Sequence, residues 1–183
     1  MERYEIKIVG VGGQGIRIAG AILGMAATID GKVATHWQSY GVETRGGPST
    51  SDIVISSEKI DYPRVIAADV LVALDQMMLN ENLGNLKSGV ILIIDPDLVR
   101  NKPTRDDIII KQVPIVRIAD SFGQRLITNM IILGFLTATT GVVSKDALVK
   151  AITANVPPDS KEVNLEAFEA GIKLGEKVRL EGR

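Results

Sequence analysis

With 183 residues, 22 acidic against 21 basic side chains and a net charge of −1, the chain has the size of one folded domain and no basic field for nucleic acid. It contains no cysteine, which rules out a disulfide framework, thiolate chemistry and cysteine ligation of an iron–sulfur cluster by this chain itself. Hydrophobic residues make up 45% of the sequence, enough to fill a real core.

The opening MERYEIKIVG enters a strand at Glu5–Val9 without the basic-then-apolar layout of a signal peptide, so a cytoplasmic protein is expected. Gly10, Gly12 and Gly15 then follow in G-x-G-x-x-G order, with Gly13 an extra glycine and Gln14 between. Glycines serve there because the chain turns sharply, lets a ligand or another backbone approach, and brings the next helix close to the sheet. The same pattern also occurs as a simple tight connection. The helix runs to Ile29, with Ala19, Ile22, Leu23 and Ala26 as its buried stripe, and Asp30-Gly31 ends it. Arg17 falls in the first turn, where the macrodipole disfavours a cation unless an anion offsets it. A second strand, Lys32–Trp37, leads into Gln38-Ser39-Tyr40; a dinucleotide site places a carboxylate about there for the ribose, and none is present. Gly10, Gly12, Gly13, Gln14, Gly15 and Arg17 therefore read as an anion or partner contact rather than an NAD site.

Next comes a polar loop, Ser39 to Ser51. Tyr40, Gly41, Glu43, Arg45, Gly46 and Gly47 stand out in it, because glycines beside an arginine let the backbone pass close to something while a guanidinium fork reaches for carboxylate or phosphate. The bland account is a surface turn with an Arg45–Glu43 or Arg45–Asp52 pair, worth little. In a parallel sheet the loop shares the carboxyl edge with the glycine turn, which favours function. Strands are expected at Asp52–Ser56, Asp69–Leu74, Gly89–Ile94 and Ile108–Val113, the last toward an edge, with a helix near Asp75–Leu86. Asp75 is placed either to aid a ligand or to cap that helix; His36, without a local catalytic partner, reads as structural.

From about residue 120 the chain becomes helical. The spacing predicts a helix over Ser121–Thr139, apolar nearly all round at Met130–Leu136 and so buried in the fold or under a partner. Ser144 caps a helix over Lys145–Asn155, Val156-Pro157-Pro158 is a rigid link, and Asn164 is expected to cap a final helix to about Arg179. The uncharged run Leu126–Ser144 is too diluted by Thr, Asn and Gly for a membrane span. The whole reads as a single domain over 1–183, a three-layer α/β/α sandwich with a Rossmann-like, mostly parallel sheet.

The segments GVGGQG, SYGVETRGG, SDIVIS, PRVIAADVLVAL, NMIILGFL and NLEAFEAG, in order along nearly the whole chain, resemble the gamma subunit of the 2-oxoacid:ferredoxin oxidoreductases. The resemblance implies a subunit, inactive alone, of an enzyme that converts a 2-oxoacid such as pyruvate, 2-oxoglutarate or 2-ketoisovalerate to an acyl-coenzyme A and reduces ferredoxin. It implies alpha, beta and delta-type partner subunits that bring thiamine diphosphate, magnesium and iron–sulfur clusters, with coenzyme A as acyl acceptor and Gly10, Gly12, Gly13, Gln14, Gly15 and Arg17 as candidate contacts to it. No catalytic residue and no metal ligand is expected in this chain, and its isolated form could self-associate. An indolepyruvate oxidoreductase subunit and a free-standing nucleotide-binding protein are the alternatives.

Overall fold

The structure, a computed structural model, describes residues 3–40, 46–123 and 127–181. Six strands, β1 (Tyr4–Val11), β2 (Val33–Tyr40), β3 (Pro48–Ser56), β4 (Val70–Ala73), β5 (Ile91–Ile94) and β6 (Ile109–Gln112), form one sheet in the order β2-β3-β1-β4-β5-β6. Pairing is parallel from β1 through β4 and β5 to β6, and antiparallel for β1–β3 and β2–β3. The helices are α1 (Ile16–Ile29), α2 (Gln76–Asn82), α3 (Ile115–Ser121), α4 (Thr128–Thr140), α5 (Lys145–Asn155) and α6 (Lys161–Glu181).

Alternation of side chains along the strands divides the core in two. Ile6, Ile8, Ile53, Ile55, Val70, Val72 and Ile93 face α1 and α3 to α6, whereas Val9, Leu71, Ala73, Leu92 and Ile94 face α2. The expected sandwich is therefore lopsided, because the seven-residue α2 is the one described helix in the second cluster.

On that side the segment 57–69 lies over the lower sheet. Arg3 donates to the carbonyls of Tyr62 (3.0 Å) and Arg64 (2.8 Å), while the buried Glu5 carboxylate accepts from the backbone N–H of Ile66 and Ala67, each at 2.7 Å. Asp52, also fully buried, lies 3.1 Å from Lys7 Nζ and 3.7 Å from Arg64 Nε. Neither of its oxygens has an aligned hydrogen bond, so the attraction is coulombic. Asp52 thus belongs to an ion cluster whose Arg64 also stacks on Trp37, 3.8 Å from the ring centroid.

Several boundaries differ from the sequence expectation. β2 and β3 extend into the presumed loop: Pro48 to Ser51 pair with β1 on one side, and Ser49 to Ser51 with Gln38 to Tyr40 on the other. Their polar side chains conceal a strand held by backbone bonds on both flanks, with Pro48 at the first position, where a missing N–H is tolerated. The helix expected over Ser121–Thr139 starts instead at Thr128, as α4, while Ser121 is the last residue of a separate helix, α3. Gly123, at φ +70°, follows the end of α3 as a left-handed residue can, and its N–H bonds to the Asp120 carbonyl. Asn164 is not a cap: α6 starts at Lys161 after a 3-10 turn at Pro158–Ser160, and the Asn164 amide donates to the Ser160 carbonyl inside that start. Ser144 does cap α5, accepting from the Ala147 N–H at 3.1 Å, and Asp75 caps α2 through the Met78 N–H at 3.0 Å.

Helix α4 is buried inside the fold itself. Gly134 faces the backbone of α6 at Phe168 to Ile172, and Gly171 faces the backbone of α4 at Ile131 and Phe135, so the two helices meet backbone to backbone. This answers the choice left open for Met130–Leu136: α6 covers it, and α1, α3 and α5 pack on the same helix. Among the described residues no helix is long and apolar enough to cross a membrane.

Candidate functional site

The carboxyl edge of the sheet changes chain direction between β1 and β4, because the chain leaves β1 toward β3 and β2 and returns to β4 on the other side. Such a switch point leaves a crevice above the strand ends. Its first wall is the glycine turn. The Gly12 N–H donates to the Gly47 carbonyl at 2.9 Å, tying this turn to the start of β3. Gly13 (φ +97°) and Gly15 (φ +70°) occupy left-handed conformations that side chains disfavour, and Gly15 forms the N-cap of α1.

Gln14 spans the switch point. Its Oε1 accepts from the Val11 N–H at 2.8 Å and its Nε2 donates to the Leu74 carbonyl at 2.9 Å, so one carboxamide joins the ends of β1 and β4. Gly10 is required beneath it, since a Cβ there would overlap Gln14 Oε1. Of the six turn residues marked in the sequence, Gly10 and Gln14 are thus structural partners. Gly12, Gly13 and Gly15 shape the helix start. Arg17 is exposed in the first turn of α1 and already has an interaction partner.

The second loop meets the same edge, by a route that differs from the parallel crossover expected. β2 and β3 form an antiparallel hairpin, and because β3 is also antiparallel to β1, β2 runs in the direction of β1 and delivers its end beside the glycine turn. Tyr40 pairs with Ser49, Gly46 has φ +77°, and Gly47 holds Gly12. Gly41, Glu43 and Arg45 lie outside the described residues.

Two residues that sequence reasoning missed come from the start of α4. The Asn129 side chain, 4% exposed, sits over Gly15, with Nδ2 2.7 Å from where a Cβ on that glycine would stand. Its Oδ1 accepts from the Met130 N–H at 2.9 Å, which turns the Nδ2 donor toward the head of α1. Thr128 Oγ1 donates to the Gln14 carbonyl at 3.4 Å. The signal in the sequence was a pair of polar residues heading an otherwise apolar run, TNMIILGFL. Sequence reasoning also missed Asp95. It is fully buried and accepts from the Val116 N–H (2.7 Å) and the Asp97 N–H (2.8 Å), capping α3. Beside it Arg117 grips Asp97 at 2.6 and 2.7 Å, and those hydrogen bonds hold the Asp97 carboxyl below its usual value.

Between these walls lies a crevice of about 190 Å³ lined by Gly13, Gln14, Leu74, Leu98, Ile115, Val116 and Thr128. His36 stands apart from it, under α1. Its Nε2 lies 2.9 Å from Ser51 Oγ, whose single hydroxyl proton is donated to the Ile16 carbonyl at 3.1 Å. The imidazole must therefore carry its proton on Nε2 and donate to Ser51. Burial lowers the His36 pKa, against an upward pull from Asp52. Among the described residues no three His, Asp or Glu side chains converge as metal ligands would.

The family described as pyruvate ferredoxin/flavodoxin oxidoreductase matches residues 5–174. The subunit KorC of 2-oxoglutarate synthase from Methanothermobacter marburgensis is 44% identical, over 94% of this chain and 96% of its own. The ketoisovalerate oxidoreductase subunit VorA of the same organism is 33% identical over 97% of this chain, which spans 37% of that longer protein. Among solved structures, the gamma subunit of a keto/oxoacid ferredoxin oxidoreductase from Geobacter sulfurreducens superposes with a TM-score of 0.83 at 37% identity, covering 94% of this chain and 96% of that one.

Proposed function

The chain belongs to the pyruvate ferredoxin/flavodoxin oxidoreductase family, and on that premise we propose that it is the gamma-type subunit of a multi-subunit 2-oxoacid oxidoreductase. The observation that carries this is similarity to proteins that are themselves subunits, over 94% of this chain and 96% of each of theirs. The unit acts as one domain over 1–183, helical from about 120, and the assembly is cytoplasmic. Alpha, beta and delta-type chains complete it and deliver electrons to ferredoxin. Thiamine diphosphate, magnesium and iron–sulfur clusters do not fit this chain's own residues, since it has no cysteine and, among the described residues, no three His, Asp or Glu side chains converge.

Coenzyme A is a different case. Around Gly13 a Cβ would meet nothing within 4 Å, so the outer side of the turn is open, and the head of α1 with the Asn129 amide presents donors there. Gly12, Gly13, Gly15 and Asn129 would hold an anionic group of the acyl acceptor, with Arg17 and the Tyr40–Gly47 loop, including Glu43 and Arg45, at the junction with a catalytic subunit. The chain's contribution is to bind and orient at that edge. Native purification of the complex, with mass spectrometry of its other chains and turnover across several 2-oxoacids, tests the reading. Isolation of the chain alone, with calorimetry showing micromolar NAD or FAD, would replace it with a free-standing nucleotide binder.

A further inference from the structure

We propose that the outer edge of β2 over Val33–Ser39 pairs antiparallel with the same edge of a second copy of this chain, joining two sheets about a two-fold axis. β2 closes one end of the sheet. Among the described residues it pairs with β3 alone, so its outward N–H and C=O groups meet no strand. The edge carries none of the usual devices against pairing. Register with β3 is unbroken from Val33↔Ser56 to Tyr40↔Ser49, with no bulge, and VATHWQSY contains neither proline nor lysine. The opposite edge is blunted: β6 is four residues long, carries Lys111 and is soon followed by Pro114. At about 3.4 Å per residue, Val33–Ser39 offers a seam of about 24 Å and leaves the Tyr40–Gly47 loop outside it.

Symmetry selects the occupant. A two-fold axis sets the strand against itself, so any charge on it would face its own like across the seam. Val33–Ser39 has no Asp, Glu, Lys or Arg, and Val33, Gln38 and Ser39 are exposed. Helix α1 above the seam is also fitted to its own copy. Gly24 lies over β2, where a Cβ on it would stand 3.8 Å from His36 Cβ. The exposed neighbours of Gly24 one turn away on the helix, Ala21 and Thr28, are small, and the Thr28 hydroxyl turns back to the Gly24 carbonyl at 3.1 Å. Over that stretch two α1 helices meet above the joined sheet with only small, uncharged side chains between them. A strand from an unlike chain would bond the same backbone, but it gains nothing from this match of the edge to itself.

Sedimentation and amide hydrogen exchange of the full-length chain test this. The chain should sediment as a dimer that dissociates on dilution, and amides within Val33–Ser39 should exchange more slowly in the dimer while those of α6 stay unchanged. Gln38→Lys and Gln38→Glu, at an exposed edge position, should each weaken the dimer by about tenfold or more with unchanged circular dichroism, because each sets like charges across the two-fold. An equimolar mixture of the two should dimerise again, since opposite charges then face each other. The proposal is overturned if the parent stays monomeric, if a dimer forms without slowing exchange in β2, or if both folded variants dimerise like the parent. Should the variants fail to fold, exchange in the parent alone decides. A monomer whose β2 amides slow only when other subunits are bound would assign the edge to a strand of an unlike chain, and would also overturn the second copy.

Discussion

Replacement of Gly134 by alanine tests the crossing that places α4 over the glycine turn. In an exposed helix this change gains about 1 kcal/mol from helix propensity. Here a Cβ would overlap the Phe168 carbonyl oxygen and stand 2.8 Å from the Ile172 nitrogen. Gly171 is the reciprocal case, its Cβ overlapping the Ile131 carbonyl oxygen and lying 3.0 Å from the Phe135 nitrogen. The obstacles are backbone, so no rotamer change relieves them and the helices must part. Overpacking costs about 1–3 kcal/mol, and a rigid obstacle puts this site at the upper end. Subtracting the propensity gain leaves a net loss of about 2 kcal/mol, or about 4–8 °C in Tm for a chain of this size. Gly171→Ala should behave alike, and the double variant should lose less than the sum, because parted helices accommodate the second methyl. Gly84, where a Cβ meets nothing within 4 Å, is the control, and its alanine variant should match or exceed the parent. Urea unfolding followed by circular dichroism reads all four. If Gly134→Ala is as stable as the parent, the backbone-to-backbone crossing is wrong, and with it the account of how Asn129 is held on Gly15.

His36 gives a pH dependence. Its folded pKa lies below its usual value of about 6.5, so on acidification the unfolded chain takes up the proton first and stability falls below about pH 6.5. Gln in its place can still donate to Ser51 without titrating, so the parent should lose more stability than His36→Gln between pH 7.5 and 5.5; parallel losses would show that burial of the imidazole costs nothing. Arg45→Ala should leave the chain folded but strongly lower assembly or turnover, since truncating a buried charged pair typically costs about 2–5 kcal/mol, and Arg45→Lys should restore only part because it lacks the planar fork. A reconstituted Arg45→Ala complex that turns over like the parent would make the loop an ordinary surface turn.

The sequence by itself determined the parts of this protein that obey local rules. The glycine turn, the stripe of α1, the Ser144 cap and the apolar runs of β4 and β5 are written in adjacent residues, because glycine conformation, capping and burial periodicity each act over a few positions. The family resemblance was legible for the same reason, as short motifs in order. What only the tertiary structure decided depends on partners distant in the chain. That Ser49 and Ser51 lie in a strand follows from neighbours on both flanks, and that Asp52 is a buried ion-cluster member follows from Lys7 and Arg64. That Gln14 clips Leu74, and that Asn129 and Val116 join Gly13 and Gly15 at one edge, depends on a crossover and two helix placements that no local spacing encodes. Met130–Leu136 shows the division within a single segment: its composition required burial, but only the backbone contact between Gly134 and Gly171 showed that its own chain covers it.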